Sequence, residues 1–487
     1  MVEKKKVKKN KKEVVVNFLG ISSQEVTNSM YLVEFGSYKI LLDCGLYQSA
    51  NMFKNYKHNS RNLGLKYSEI DFIILTHLHA DHVGLLPRLY KNGCKAKIFI
   101  ANGTKGLLEL MLRDTCKIIK HDCDMMIKYS KGEGKFFPIF DEIDVDAMLD
   151  YIIEVDDETQ ELTKSINFKF YNAGHIVKSK QIYMEFKVDK NTTKRLGYTG
   201  DIGSTIEDKF FTMPFEPMPY CDLLISETTY GGNSVGRTKK LRFNELKMIE
   251  NAIRNTKKTQ RTLIGAFSLE RLQNIMLDLY EIFGNDENFK TKILIDAPLG
   301  HRISNIIHRA IDDRDIKKQE KFQTYKKMME WENIKWLDDY NESKYYKTAK
   351  EPLIILSTSN MLDNGRILEW VQSMLPDRNN TIIFCGYTTE DSLATRIKDK
   401  SNAQVFIDKK FYVNECKLID LQSYSSHITR SELLNLHGLN ANYDRLVLVH
   451  GELENKRVFA RMLKKELNRL NKTNRIILPE FMDSIII

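Results

Sequence analysis

The sequence predicts an α/β fold in two parts: a layered domain of two sheets with helices outside, interrupted by a smaller domain built on a parallel sheet. Three observations predict it. Short apolar strands separated by turn residues run regularly from Val14 to Glu227, strands and helices then alternate strictly after Tyr230-Gly231-Gly232-Asn233, and short strands return from Lys417. At 487 residues the chain is long for one domain, and a hydrophobic content of 42% is enough to fill two cores.

The elements follow in order. Residues 14–19, 31–35 and 39–43 read as strands of an antiparallel sheet. Buried strands at 71–75 and 97–100 flank a helix beginning at 83–90, and a long helix is expected over 103–120, where leucine, methionine and isoleucine recur at helical spacing. The acidic stretch 131–163 reads as helix and loop. Strands resume at 168–173, 181–188, 195–199 and 223–226. In the second part, strands at 262–267, 292–295, 352–357 and 381–384 alternate with helices such as 269–283 and 366–374, the pattern of a parallel sheet. The charged segment 302–345 reads as a helical, solvated cap, and 445–449 is a late apolar strand ending at His450.

Composition narrows the function. The net charge of +9 favours a polyanionic partner, although part of it is local, since Met1 to Glu13 holds seven lysines. That tail is expected to be disordered. The apolar run behind it is too short for a signal peptide, and no run approaches the roughly 20 residues of a membrane span, so no membrane partner is expected. Seven scattered cysteines, odd in number and without a CxxC pair, point to a reduced, cytoplasmic setting.

The richest chemistry lies in Thr76-His77-Leu78-His79-Ala80-Asp81-His82-Val83-Gly84-Leu85. Three histidines and an aspartate within six positions, on the turn between a buried strand and a helix, are expected to hold metal. His77 and His79 lie two apart and face one way, whereas the adjacent Asp81 and His82 must diverge, which suits two neighbouring metals better than one. Imidazole with carboxylate favours zinc, with manganese or iron as alternatives.

Further along, apolar strands end and a histidine or carboxylate follows at once: Asp43, His175, Asp201, Glu227, His427 and His450. Strand ends are where layered α/β folds assemble sites, each strand contributing one side chain.

These residues carry a family resemblance. HLHADH, with LLDCG before it and AGH and YTGD after it, resembles the metallo-β-lactamase fold; ETTYGG, SSHIT and VHGE resemble its β-CASP branch, whose members are mostly nucleases. The segments AFSLERLQ, DAPLG, STSNMLDNGR and FCGY resemble parts of the inserted β-CASP domain. The resemblance implies an αββα sandwich with an inserted parallel α/β domain: a lysine tail over 1–12, the first part of the lactamase domain over 13–235, the β-CASP domain over 236–415 and the C-terminal part over 416–487. It implies two zinc ions, manganese being the alternative, one on His77, His79 and His175, the other on Asp81, His82 and His450, with Asp201 bridging and Asp43 ordering the histidines behind them. Such a pair activates a water to attack the phosphodiester in line. His427 is then the general acid, oriented by Glu227, and Ser357, Thr358, Ser359 and Arg366 the phosphate-binding loop.

A histidine at 450 resembles the RNA-processing members. The expected function is therefore a two-zinc ribonuclease cutting single-stranded RNA to leave a 5′-phosphate, endonucleolytic because the additional domains of exonucleolytic relatives are lacking, and acting as a homodimer or as a subunit of a processing complex. A DNA nuclease or other metallohydrolase of the same fold, or a non-catalytic RNA-binding scaffold, are the alternatives. Three segments depart from the family pattern: Asn360 stands for a glycine, Val177-Lys178-Ser179 for small residues, and Thr429 for an aspartate.

Overall fold

The strand Val14–Phe18 alternates buried and half-buried residues, as a strand with one face on a core must, and Ile166–Asn172 does the same. Val14, Val16 and Phe18 share a core with Phe168, Phe170, Met184 and Phe186, so two sheets pack face to face. The structure is a computed structural model that describes residues 13–487 except 132–133, 205–209, 233–237, 255–259, 311–318, 387, 389–391 and 402. The lysine tail, with the disorder expected of it, lies outside the described residues, as do Asn233 and Tyr387 of the motifs quoted above.

Among the described residues the first sheet has seven strands, in the order Ser484–Ile486, Val14–Phe18, Tyr31–Phe35, Tyr38–Leu42, Phe72–Ile74, Lys97–Ala101 and Ile152–Val155. The second also has seven: Arg475–Ile477, Tyr443–Val449, Cys221–Glu227, Thr193–Tyr198, Lys180–Lys187, Ile166–Asn172 and Gln160–Thr163. The helix Leu453–Arg469 covers the outer face of the second sheet, where Phe459, Leu463 and Leu467 pack with Tyr443, Leu446 and Leu448. Parallel pairing places strand ends side by side. Leu42 is in register with Ile74 and Ile74 with Phe99, while Glu227 is in register with Val449.

The chain divides into two compact units, one running to Gly236 and resuming at Ser426, the other spanning Arg237–Ser425. The second unit holds a parallel sheet of six strands in the order Ile334–Trp336, Lys292–Asp296, Leu353–Ser357, Arg261–Gly265, Thr381–Cys385 and Lys417–Leu421. Leu353–Ser357 and Thr381–Cys385 are buried along their whole length, as strands covered on both faces must be. Among the described residues no helix is long and apolar enough to cross a membrane, and all seven cysteines are buried free thiols.

Several elements differ from the sequence reading. The helix expected to begin at 83 begins at Ala80, so Asp81 and His82 sit in its first turn, and a second short helix follows at Leu86–Lys91. The long helix continues to Tyr129. The stretch read as helix and loop holds the helix Glu142–Leu149, started by an Asp141 capping box, and then the strands Ile152–Val155 and Gln160–Thr163. Both strands lie at sheet edges with mostly half-exposed residues, and Gln160–Thr163 carries a single apolar side chain, Leu162. The charged cap contains the strand Ile334–Trp336, and Lys417–Leu421, expected to open the returning part at 416, pairs with Thr381–Cys385 inside the inserted unit.

One buried histidine makes the pH dependence of stability testable. His437 is 1% exposed, its Nε2 2.9 Å from the Ser226 hydroxyl, and burial pulls it from 6.5 down to about 3. A folded value below the unfolded one means that the native state binds fewer protons. The stabilisation is therefore complete above about pH 6.5 and is lost as pH falls toward 3. Between pH 7 and 5 this group should remove about 2 kcal/mol. Urea unfolding of wild type and His437→Gln at both pH values checks this: the variant should lose about that much less on acidification.

Candidate metal centre

The centre is built at the carboxyl ends of the strands. Phe72–Ile74 delivers Thr76, His77 and His79, Thr193–Tyr198 delivers Asp201, and the neighbours Cys221–Glu227 and Tyr443–Val449 deliver Glu227, Thr229 and His450. Two glycines let the backbone come close. A Cβ on Gly45 would stand 1.7 Å from the Asp81 carbonyl oxygen, and one on Gly203 1.6 Å from that of Gly174.

Two donor groups result. In the first, His79 Nδ1 lies 3.0 Å from His77 Nε2 and 3.3 Å from His175 Nε2, and Asp201 Oδ2 lies 3.6 Å from both of those Nε2 atoms. In the second, Asp81 Oδ2 is 3.1 Å from His450 Nε2 and 3.9 Å from His82 Nε2, while Asp201 Oδ1 is 3.3 Å from His82 Nε2 and 3.3 Å from His450 Nδ1. Asp201 thus turns one oxygen to each group. A tetrahedral metal with ligands at about 2.0–2.1 Å holds neighbouring donor atoms roughly 3.3 Å apart, so the first group has the spacing such an ion requires. Its chemistry agrees: three ring nitrogens and a carboxylate oxygen converge where protons alone can pair only some of them.

Electrostatics divides the histidines. Burial holds His77 and His175 well below the usual imidazole range and pulls His79 down to about 4, leaving neutral rings with lone pairs to offer. Burial also opposes charge on His82, yet Asp201, Asp43 and Asp81 together raise it well above its ordinary value. His450 is raised too, against burial, by Asp201 and Asp81. In return, and again against burial, His82 and His450 hold Asp81 and Asp201 below the usual carboxylate range. A cation bound here would take over the role of these protons.

Behind the donors stands Asp43, fully buried with φ of 55°. Its Oδ1 accepts from the Thr76 amide at 2.8 Å; its Oδ2 accepts from the Thr76 hydroxyl at 2.8 Å, the Tyr198 hydroxyl at 2.7 Å and His82 Nδ1 at 2.7 Å. The last bond fixes the His82 tautomer and leaves Nε2 for Asp201 or a metal.

His427 lies beside the first group, its ring 4.6 Å from that of His175. Its Nδ1 is 3.0 and 3.1 Å from the two oxygens of Glu227, a buried carboxylate that also accepts from the Ile202 amide at 2.6 Å. A carboxylate cannot donate, so His427 gives it the Nδ1 hydrogen and keeps Nε2 for another partner.

All ten residues from Asp43 to His450 that the sequence marked for the centre lie in the first unit and converge. The other four belong to the inserted unit, and two of them are engaged elsewhere. Ser357 is buried and donates to the Asp296 carbonyl at 2.8 Å. Arg366, expected on substrate phosphate, pairs with the buried Asp296 carboxylate at 2.9 Å and donates to the carbonyls of Leu337 and Asp338, so a buried charge that needs a partner has claimed it. Thr358 and Ser359 remain half-exposed.

Sequence reasoning missed Thr76, Tyr198 and Thr229, whose hydroxyl lies 3.0 Å from His450 Nδ1. The signal was present, since each is a neighbouring letter of a motif already quoted. Two of the departures also acquire reasons. Thr429 caps the helix Arg430–Leu434 in a capping box with Glu432, and the Ser179 hydroxyl accepts from the amides of His175 and Ile176.

Comparison with known proteins agrees with this layout. Residues 24–98 match the model of the metallo-beta-lactamase superfamily, 272–397 that of the Beta-Casp domain, and 414–479 that of the Zn-dependent metallo-hydrolase RNA specificity domain. The chain is 27% identical over 445 residues to Ribonuclease TTHA0252 of Thermus thermophilus, covering 91% of this chain and 94% of that one. It is 26% identical to the transcription termination factor FttA of Methanocaldococcus jannaschii, over 90% of this chain and 67% of that one. Endoribonuclease ysh1 of Schizosaccharomyces pombe is 24% identical, over 91% and 55%. A crystal structure of a protein of unknown function from Enterococcus faecalis shares the fold at a TM-score of 0.50 and 12% identity, covering 98% of this chain and all of that one.

Asp43→Asn keeps shape and tolerates the left-handed backbone, but it removes the charge that four donors address. It should lower stability by about 2–4 kcal/mol in urea unfolding and weaken zinc binding about 10- to 100-fold in a chelator competition titration. Wild-type zinc affinity in the variant would show that Asp43 does not order the ligands.

Proposed function

The chain belongs to the β-CASP family of the metallo-β-lactamase superfamily, and on that premise we propose that it is a two-zinc ribonuclease that hydrolyses single-stranded RNA, endonucleolytically, leaving a 5′-phosphate. The observation that carries the reading is Asp201, with one oxygen toward His77 and His175 and the other toward His82 and His450. His77, His79 and His175 would hold one metal and Asp81, His82 and His450 the other, with Asp201 facing both groups. The chemistry that such a pair supplies when bound is acidification of a water and neutralisation of phosphate charge.

The remaining work falls to side chains. His427 holds a proton at Nε2 for the departing ribose oxygen, and Glu227 keeps the ring in place through Nδ1. Thr229 steadies His450 and Asp43 steadies His82, so the donors are held before any ion arrives. RNA is favoured over DNA by the histidine at 450, by the match of 414–479 to an RNA specificity domain, and by relatives named as ribonucleases. The match spans both His427 and His450.

Zinc-loaded protein should cut labelled single-stranded RNA in preference to DNA or a chromogenic phosphodiester, and should open circular RNA as readily as linear. Equal turnover of DNA, or inertness toward circles, would sink the substrate or the endonucleolytic part respectively. Asp81→Ala with His82→Ala should abolish cleavage and lower the bound metal while circular dichroism stays native; activity in that double variant would end the metal mechanism.

His427→Ala should lower kcat about 10²- to 10⁴-fold with metal content unchanged by elemental analysis. Loss of zinc from it would make His427 a ligand instead of an acid.

A further inference from the structure

We propose that Lys178 is a substrate contact, an ammonium that binds a backbone phosphate of the RNA at the rim of the metal centre; the inference rests on the ribonuclease reading of that centre. The turn Ile176–Ser179 follows His175 directly and is closed by the Ser179 amide donating to the Ile176 carbonyl at 3.0 Å. Lys178 occupies its third position with φ of 57°, a conformation that favours glycine because a Cβ crowds the backbone there. Nothing in the turn itself asks for a lysine.

The strain cannot relax locally. The Ser179 hydroxyl accepts from the His175 amide at 3.1 Å and the Ile176 amide at 3.2 Å, and the Lys180 amide donates to the Thr76 carbonyl at 2.8 Å, beside His77. Lys178 is therefore presented on a turn bolted to two ligand-bearing segments. Its neighbour shows the contrast. Lys180 is buried, with Nζ held by Asp157 at 2.6 Å and Asn172 at 2.6 Å, so its charge is used within the fold. Lys178 is exposed, and among the described residues its ammonium has no hydrogen-bond or ion-pair partner.

Two other non-glycine residues of the centre share this backbone region, Asp43 at 55° and His450 at 47°, and in each the side chain does the work described above. Strain of this kind persists where a side chain is needed. For Lys178 the need is outside the protein. An ammonium is a compact point charge suited to a phosphate oxygen and indifferent to base identity, so the contact places the strand without reading its sequence.

The test compares wild type, Lys178→Gly and Lys178→Arg, all zinc-loaded, in thermal unfolding and in equilibrium binding of fluorescein-labelled single-stranded RNA across a potassium chloride series. Lys178→Gly should unfold at a higher temperature yet bind RNA about 3- to 10-fold more weakly at low salt. Its slope of log affinity against log salt should be shallower by roughly 0.7 to 1. Lys178→Arg should keep wild-type affinity. A glycine variant with wild-type affinity and slope overturns the proposal, and so does one less stable than wild type, since the turn would then carry no strain. Wild type that binds RNA without cutting it sinks the ribonuclease reading while the affinities still decide on Lys178; wild type that does neither overturns both.

Discussion

The first unit is held at its working end by one buried carboxylate. Asp43 leaves its strand in a left-handed turn and accepts four hydrogen bonds, from Thr76 twice, from Tyr198 and from His82. Thr76 follows the neighbouring strand, Tyr198 ends a strand of the opposite sheet, and His82 lies on the helix after the histidine turn. A buried charge is stable only when fully paired, so this single group brings three separate segments to a common point. His77, His79, Asp81, His82 and Asp201 stand on these segments or directly after them.

The second constraint is continuity across the insertion. Some two hundred residues separate Glu227 from His427, and Thr229 from His450, yet each pair is in hydrogen-bond contact. Parallel pairing of Cys221–Glu227 with Tyr443–Val449 brings them together, because it sets the end of a strand before the insertion beside the end of one after it. The candidate metal centre, His427 and Glu227 thus all belong to one unit. The inserted unit has its own parallel sheet, its own core and its own ion pair between the buried Asp296 and the half-buried Arg366.

The legible features were those in which residue type and local spacing coincide. The histidine turn, the strand-end carboxylates and the apolar runs at 353–357 and 381–385 need no distant information, since each shows its chemistry or its burial within a few residues. Strands that lie at an edge do not. Ile152–Val155, Gln160–Thr163 and Ile334–Trp336 are short and half-exposed, and only their hydrogen-bonded neighbour makes them strands. Lys417–Leu421 was visible as an element, but its partner Thr381–Cys385 decides which unit owns it.

Side-chain roles divide in the same way. The sequence by itself determined the candidate donors, because imidazole and carboxylate carry their chemistry wherever they are placed, and it determined the family those motifs belong to. Only the tertiary structure decided what each polar group is already bonded to. It assigned Arg366 to Asp296, gave Asp43 its four donors, made Thr229 the support of His450, and left Lys178 exposed on a strained turn beside His175. The physical reason is that a charge or hydroxyl serves whichever partner the fold brings within hydrogen-bond reach, and for these residues the partners come from strands and loops far away in the chain.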